Sequence, residues 1–201
     1  MKKFALLVVF TASLSFGAPT TWEIDGSHST ASFKVKHLLV TNVKGDVGGV
    51  EGKFITDGDD VTKMTINAKA NMRSITTNNK DRDKHLNAED FFNTKKFPTT
   101  TFKSKSVAKN GEKLKIVGDL TLRGVTKEVT LDAEPLTAPV NDPWGSIRRG
   151  FSATTKISRK DFGVSFNKTL ETGGAIVGDE VTIEWEVELK TDAPKAEKKK
   201  G

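Results

Sequence analysis

His28, His37 and His85 are the only histidines in the 201 residues, and there is no cysteine. Histidine is the side chain best suited to proton transfer and metal ligation near neutral pH, so these three positions bound that chemistry. They lie in separate segments, "GSHS", "VKHLL" and "DKHL", and none has an evident close pair of further ligands. Catalytic zinc wants three placed protein ligands, so no mononuclear metal site is expected. Without cysteine there is no thiolate nucleophile, no thiolate metal site and no disulfide. The chain has no Gly-x-Ser-x-Gly elbow, no His-Glu-x-x-His, no P-loop and no Gly-x-Gly-x-x-Gly, and "GDVGGVEG" is spaced wrongly for the last. A Ser-His-Asp hydrolase would have to assemble its triad across the fold. The expectation is a protein that is not an enzyme and uses no catalytic cofactor.

The remaining polar candidates have structural readings beside the chemical ones. Arg159 and Asp161 in "SRKDFG" predict an ion pair or cap at a strand exit. Arg148 and Arg149, beside Trp144, predict either a solvated loop or a contact with an anionic group. Phe91 and Phe92 predict a plug for one end of the fold.

These side chains are held by strands. "VTIEWEVELK" (181–190) puts Val181, Ile183, Trp185, Val187 and Leu189 on one face and Thr182, Glu184, Glu186, Glu188 and Lys190 on the other. Successive side chains of a strand point to opposite faces, so this strand has a wet face and a dry face. The same alternation recurs in "STASFKVKH" (29–37), "VEGKFIT" (50–56), "KMTINAKA" (63–70), "TTTFKSKSV" (99–107), "KLKIVGDLTL" (113–122), "KEVTLDA" (127–133) and "GFSATTKIS" (150–158). Eight strands result. Asp57-Gly58 and Asn110-Gly111 predict tight hairpin turns, Gly124 separates the fifth and sixth strands, and Gly48-Gly49 predicts a bulge or bend. Between the third and fourth strands, "NNKDRDKHLNAEDFFNTKKFP" loses the two-residue period. Asn87 before Ala88-Glu89-Asp90 predicts a helix N-cap with acids in the first turn. "TAPVNDPWGSIRR" (137–149) reads as a long loop, and 158–180 as an irregular stretch.

The ends differ from the body. Lys2 and Lys3, the apolar "FALLVVF", then Ser15 and Gly17 form a secretory signal-peptide pattern over 1–17. That run falls short of the roughly 20 residues a membrane span needs, so export to a bacterial periplasm is expected, with no stable membrane insertion. Removing Lys2 and Lys3 lowers the net charge from +6 to +4. Residues 191–201, "TDAPKAEKKKG", read as a disordered basic tail, leaving a domain over 18–190. The basic residues are scattered on polar strand faces without interleaved aromatics, so nucleic acid is not an expected partner.

An all-β chain of eight antiparallel strands with one apolar face must close it into a sandwich or a barrel. At eight strands a barrel is either filled by side chains or hollow enough for one small ligand. Inward Ala31, Gly52, Ala68, Ala70, Gly118, Ala133, Ala153 and Thr155 argue for a hollow. Phe33, Phe54, Phe102, Phe151 and Trp185 could fill it. Both alternatives stand.

The blocks "WEIDGSHSTASFKVKHLLV", "DRDKHLNAEDFFNTKKFPTTTFKS", "GDLTLRGVTKEVTL", "GFSATTKISRKDFG" and "GGAIVGDEVTIEWEVEL" resemble, in order and from about Trp22 to Leu189, the YceI-like family of periplasmic polyisoprenoid-binding proteins. The resemblance implies an eight-stranded antiparallel lipocalin-like barrel with a short helical insert between strands three and four, around a long apolar tunnel. It further implies binding, sequestration or transport of an isoprenoid lipid, an isoprenoid quinone or another long-chain amphiphile. Val35, Met64, Ile66, Phe102, Leu114, Ile116, Phe151, Ile157, Ile183 and Trp185 are then the candidate lining, with inward His37 a candidate for a head group. The alternative is a periplasmic stress or interaction protein whose bound lipid is incidental. An unpaired strand edge would also allow a homodimer.

Overall fold

The computed structural model describes residues 19–58, 60–167 and 176–192; the segment 1–17 and residues 193–201 of the basic tail lie outside the described residues. The strands are β1 (Thr20–Ile24), β2 (Thr30–His37), β3 (Thr41–Val47), β4 (Glu51–Asp57), β5 (Asp60–Asn71), β6 (Thr99–Asn110), β7 (Lys113–Leu122), β8 (Val125–Ala133), β9 (Val140–Asn141), β10 (Ser146–Ser158) and β11 (Val177–Asp192). One α-helix, α1 (Lys80–Asn87), separates β5 from β6.

Pairing runs β11-β1-β4-β5-β6-β7-β8-β10, and β10 pairs again with β11 from Ser146↔Asp192 to Ser158↔Glu180. The result is a closed eight-stranded antiparallel barrel with a short helix between its third and fourth staves. Two staves are broken. β1 and β2 both run antiparallel to β11 and form one stave interrupted at Asp25–Ser29. β4 and β3 lie against them and form the next, interrupted at Gly48–Val50.

The alternation found β2 and β4 but passed over β1 and β3. β1 has five residues, too few for a clear period. β3 contains Gly45, ordinarily a strand breaker, which is required here because an added Cβ would lie 2.6 Å from both the Phe33 ring and the Thr76 carbonyl oxygen. Residues 137–149 are not simply a loop: β9 pairs with the start of β10 through Ile147↔Asn141 and Arg148↔Val140. β11 is also longer than expected, since β10 supplies partners as far as Asp192. The tight turns are centred one residue later than the sequence placed them. Asn110 pairs with Lys113, and Gly111, with φ +66°, is the first turn residue.

The helix also lies earlier than expected. Its N-cap is Asn79, whose side-chain oxygen accepts from Arg82 N–H, and Asn87 is its last residue. Asn79 won because acids follow it at Asp81 and Asp83, and because Asp83 has partners outside the helix. The Asp83 carboxylate accepts from Thr77 N–H at 2.7 Å, Thr77 Oγ at 2.5 Å and Thr76 Oγ at 3.1 Å. Those bonds, led by the Thr77 hydroxyl, hold the Asp83 pKa below its ordinary value.

One end of the barrel is packed solid. Met64, Leu114, Ile116, Ala133 and Leu189 are buried there, Ile116 and Leu189 completely. Trp22 Nε1–H donates there to Thr56 Oγ1 at 3.1 Å, and Phe54 meets Phe151 edge-on at 4.9 Å where the packed end gives way to the other. Aromatic edge contacts and satisfied indole donors are what a dense interior requires.

Candidate ligand cavity

The other end is hollow. A cavity of about 150 Å³ lies between β2, β5, β6, β7, β10 and β11, beneath the helical insert. Its walls follow the inward parity of each strand. β2 supplies Ala31, Phe33 and Val35; β5 supplies Ile66, Ala68 and Ala70; β7 supplies Leu120 and Leu122; β11 supplies Val177, Val181, Ile183, Trp185 and Val187. That much space is about five waters' worth, but water needs polar partners to stay there.

The wall offers few. Ser32, Lys69 and Thr101 border the cavity, yet Ser32 donates outward to Asp46 at 2.7 Å, Lys69 pairs with Glu51 at 3.1 Å, and Thr101 is exposed. Thr100 Oγ–H donates to the Thr121 carbonyl at 2.8 Å. Arg159 is buried at the wall, with every donor nitrogen used. Nε donates to Gly178 O at 2.9 Å, Nη1 to Val164 O and Phe166 O at 2.7 Å each, and Nη2 to Val177 O and Asp179 Oδ1 at 3.2 Å each. Burial pulls the Arg159 pKa down, while Asp179 opposes that shift. An arginine remains charged in any case. Its partner is Asp179 across the strand exit, not Asp161 as the sequence suggested. Among the described residues, the polar side chains at this border are partnered or, for Thr101, exposed, which leaves a predominantly apolar lining.

The roof comes from the insert. Leu86, the buried residue of α1, and Phe91 and Phe92 border the cavity. His85 is flanked edge-on by Phe91 and Phe166, both with centroids at 4.8 Å, and Phe91 and Phe166 lie 4.7 Å apart. His85 Nε2 lies 2.8 Å from Asp90 Oδ2. The histidine is therefore part of the roof.

A family model, that of the YceI-like domain, matches residues 22–189. The chain belongs to the YceI-like family. Protein YceI of Escherichia coli O157:H7 is 43% identical over 170 residues, covering 82% of this chain and 88% of that protein. A UPF0312 protein of Yersinia pestis (strain Pestoides F) is 39% identical over 158 residues, covering 79% and 82%. Among solved structures, the YCEI protein of Campylobacter jejuni is 30% identical with a TM-score of 0.63, covering 96% of this chain and all of that one. BcnA of Burkholderia cenocepacia shares the fold at a TM-score of 0.71 and 22% identity, covering 82% and 98%. So does a polyisoprenoid binding domain from Saccharophagus degradans, at 0.60 and 14%, covering 86% and 98%.

Within this YceI-like barrel the eleven candidates divide by depth. Val35, Ile66, Phe102, Phe151, Ile157, Ile183 and Trp185 border the cavity. Met64, Leu114 and Ile116 share the inward face but lie in the packed end, outside the lining. His37 ends β2 half-buried, paired with Thr41 and Val177, and does not face the cavity. The small inward residues divide too. Ala31, Ala68 and Ala70 border the hollow, whereas the space beside Gly118 is taken by the Phe102 ring, 2.5 Å from an added Cβ. Leu120 and Leu122 were missed although they share the parity of Leu114 and Ile116; only their distance along β7 separates them.

Arg148 and Arg149 are at the packed end, remote from the cavity. Arg148 donates to Asp25 at 2.7 Å, to Asp142 at 2.8 Å and to Glu188. Arg149 Nε donates to Thr137 O at 2.7 Å, and its guanidinium lies 5.6 Å over the Trp22 ring. The sequence showed no ligand pair for His28, but the fold brings Asp25 and Glu188 to 3.6 and 3.5 Å from its Nδ1. All three side chains offer ligand atoms within 4.8 Å of one another. Arg148 already supplies the positive charge between those carboxylates, which makes this cluster a strand-break clasp.

Proposed function

We propose that the protein binds a long apolar lipid, a polyisoprenoid, isoprenoid quinone or similar chain amphiphile, in the barrel cavity, and so sequesters or carries it. The observation that carries this reading is an apolar hollow whose bordering polar side chains, among the described residues, are partnered or exposed. The polyisoprenoid binding described for the Saccharophagus domain of the same fold supports the ligand class. Each methylene taken from water contributes about 0.8 kcal/mol, so the roughly six carbons that a cavity of about 150 Å³ holds offer about 5 kcal/mol before ordering costs. No reacting group is needed. The pattern at 1–17 supports a periplasmic site of action.

Native mass spectrometry and organic extraction of protein from its own periplasm test this. The expected result is a bound long-chain lipid, lost in Ile183→Asp while the fold survives. Repeated recovery of no lipid, with no uptake of added isoprenoid quinone, overturns it. Ile116→Asp is no substitute for that variant, because Ile116 is fully buried in the packed end and a charge there would unfold the barrel.

A further inference from the structure

The turn joining β2 to β3 exposes Leu38, Leu39 and Val40, the last two at 69% and 82%. Val40 N–H donates to the His37 carbonyl at 3.1 Å, and the central residues Leu38 and Leu39 have φ of +53° and +60°. Two left-handed central residues make the type I′ arrangement that Asn-Gly suits and that leucine enters against steric resistance. The apex thus carries two aliphatic side chains that do not pack, Leu39 and Val40, while Leu38, 37% exposed, and Leu39 do not fit their turn. Folding gives no account of them; an apolar medium outside the protein does.

Position and charge say which medium. The turn stands at the cavity's end of the barrel and continues its wall. Val35 borders the cavity, His37 pairs with cavity-lining Val177, and Leu38 N–H donates to Ile176 O at 2.8 Å. From Phe33 to Gly45 the chain carries three exposed lysines and no carboxylate of its own; Lys34 pairs with Glu184 of β11 at 3.4 Å, which leaves Lys36 and Lys44 as the cations flanking the apex. A short aliphatic apex flanked by lysines matches the surface of an anionic bilayer, where apolar side chains enter the headgroup–acyl boundary and cations meet phosphates. Among the described residues no helix is long and apolar enough to cross a membrane.

We propose that the β2–β3 turn docks the protein on an anionic phospholipid surface, with Leu38, Leu39 and Val40 entering the boundary. Docking brings the cavity's end of the barrel to the lipid. Its purpose rests on the carrier reading above, whereas the contact itself is measurable without any cargo.

The test is co-sedimentation of the full mature chain with vesicles of equimolar phosphatidylglycerol and phosphatidylcholine, beside Leu38→Asn/Leu39→Gly. That variant should bind roughly tenfold more weakly, from the apolar area removed, while melting higher, because Asn-Gly fits the turn. Lys36→Glu/Lys44→Glu should weaken binding and flatten its salt dependence. Trp144→Ser, at the opposite end, should bind as wild type. Wild-type protein that stays in the supernatant overturns the proposal, as does a turn variant that sediments as well as wild type. A dimer lost in the turn variant, with no vesicle binding, would assign the apex to a second copy instead. Cargo retained without vesicle binding defeats docking alone; vesicle binding without cargo defeats the carrier reading alone.

Discussion

Asp25 closes the break between β1 and β2. Its carboxylate accepts from Ser27 N–H at 3.1 Å, Ser27 Oγ–H at 2.5 Å and Arg148 at 2.7 Å, and Lys190 Nζ lies 3.5 Å away. The Ser27 hydroxyl first, then Arg148, hold its pKa well below the usual carboxylate range. An unfolded aspartate titrates near 3.9, so the folded form keeps a charge that the unfolded form would lose. Asp25 therefore stabilises the fold above about pH 4, and that contribution disappears as pH falls further. Thermal melts between about pH 2 and 6 should show Asp25→Asn several degrees below wild type at the upper end. The two should converge toward the lower end, and a constant gap would contradict this account.

At the scale of elements, the roof is the least self-sufficient part. α1 has eight residues with one buried side chain, Leu86, and a helix so short is marginal without tertiary ties. Its ties are the Asn79 cap, the Asp83 bonds to Thr76 and Thr77, and Arg82, which donates to Thr77 Oγ1 at 2.7 Å and Thr77 O at 3.0 Å. Asn79→Ala removes the cap, which costs about 0.5–2 kcal/mol. The loss falls on the cover of the cavity rather than on the barrel. Release of a fluorescent isoprenoid should accelerate, by about twofold to thirtyfold if the whole loss is expressed in opening, with little change in melting temperature. An unchanged release rate together with a lowered melting temperature would show that the roof is not the exit.

For the whole molecule, an empty apolar cavity is a standing destabilisation. At roughly 24 cal/mol per Å³, 150 Å³ corresponds to about 3–4 kcal/mol. Cargo that fills it should return much of that, so delipidated protein should melt about 6–16 °C lower than loaded protein. Ala68→Leu places extra carbons in the hollow from a half-buried wall position. It should raise the melting temperature of the delipidated form and reduce lipid uptake. Calorimetry of loaded and delipidated samples checks both effects. Equal melting temperatures would mean that the cavity closes when emptied.

The sequence alone determined which residues face inward. A strand's two-residue period is a local property, so Leu114, Ile116, Leu120 and Leu122 of β7 could be assigned to one face without knowing any partner. It also determined the place of the insert, because Asn78 to Pro98 abandons that period. Depth was not legible. Whether an inward residue meets a packed end or a hollow depends on which residues its neighbours bring to the same level, as Gly118 shows by receiving the Phe102 ring. Nor was the Asp25, His28, Arg148 and Glu188 cluster, whose members lie up to 163 positions apart. Only the register of β11 against β10 and β1 brings them together. Alternation is written residue by residue along the chain, whereas a cavity belongs to the space between strands and is fixed only when the barrel closes.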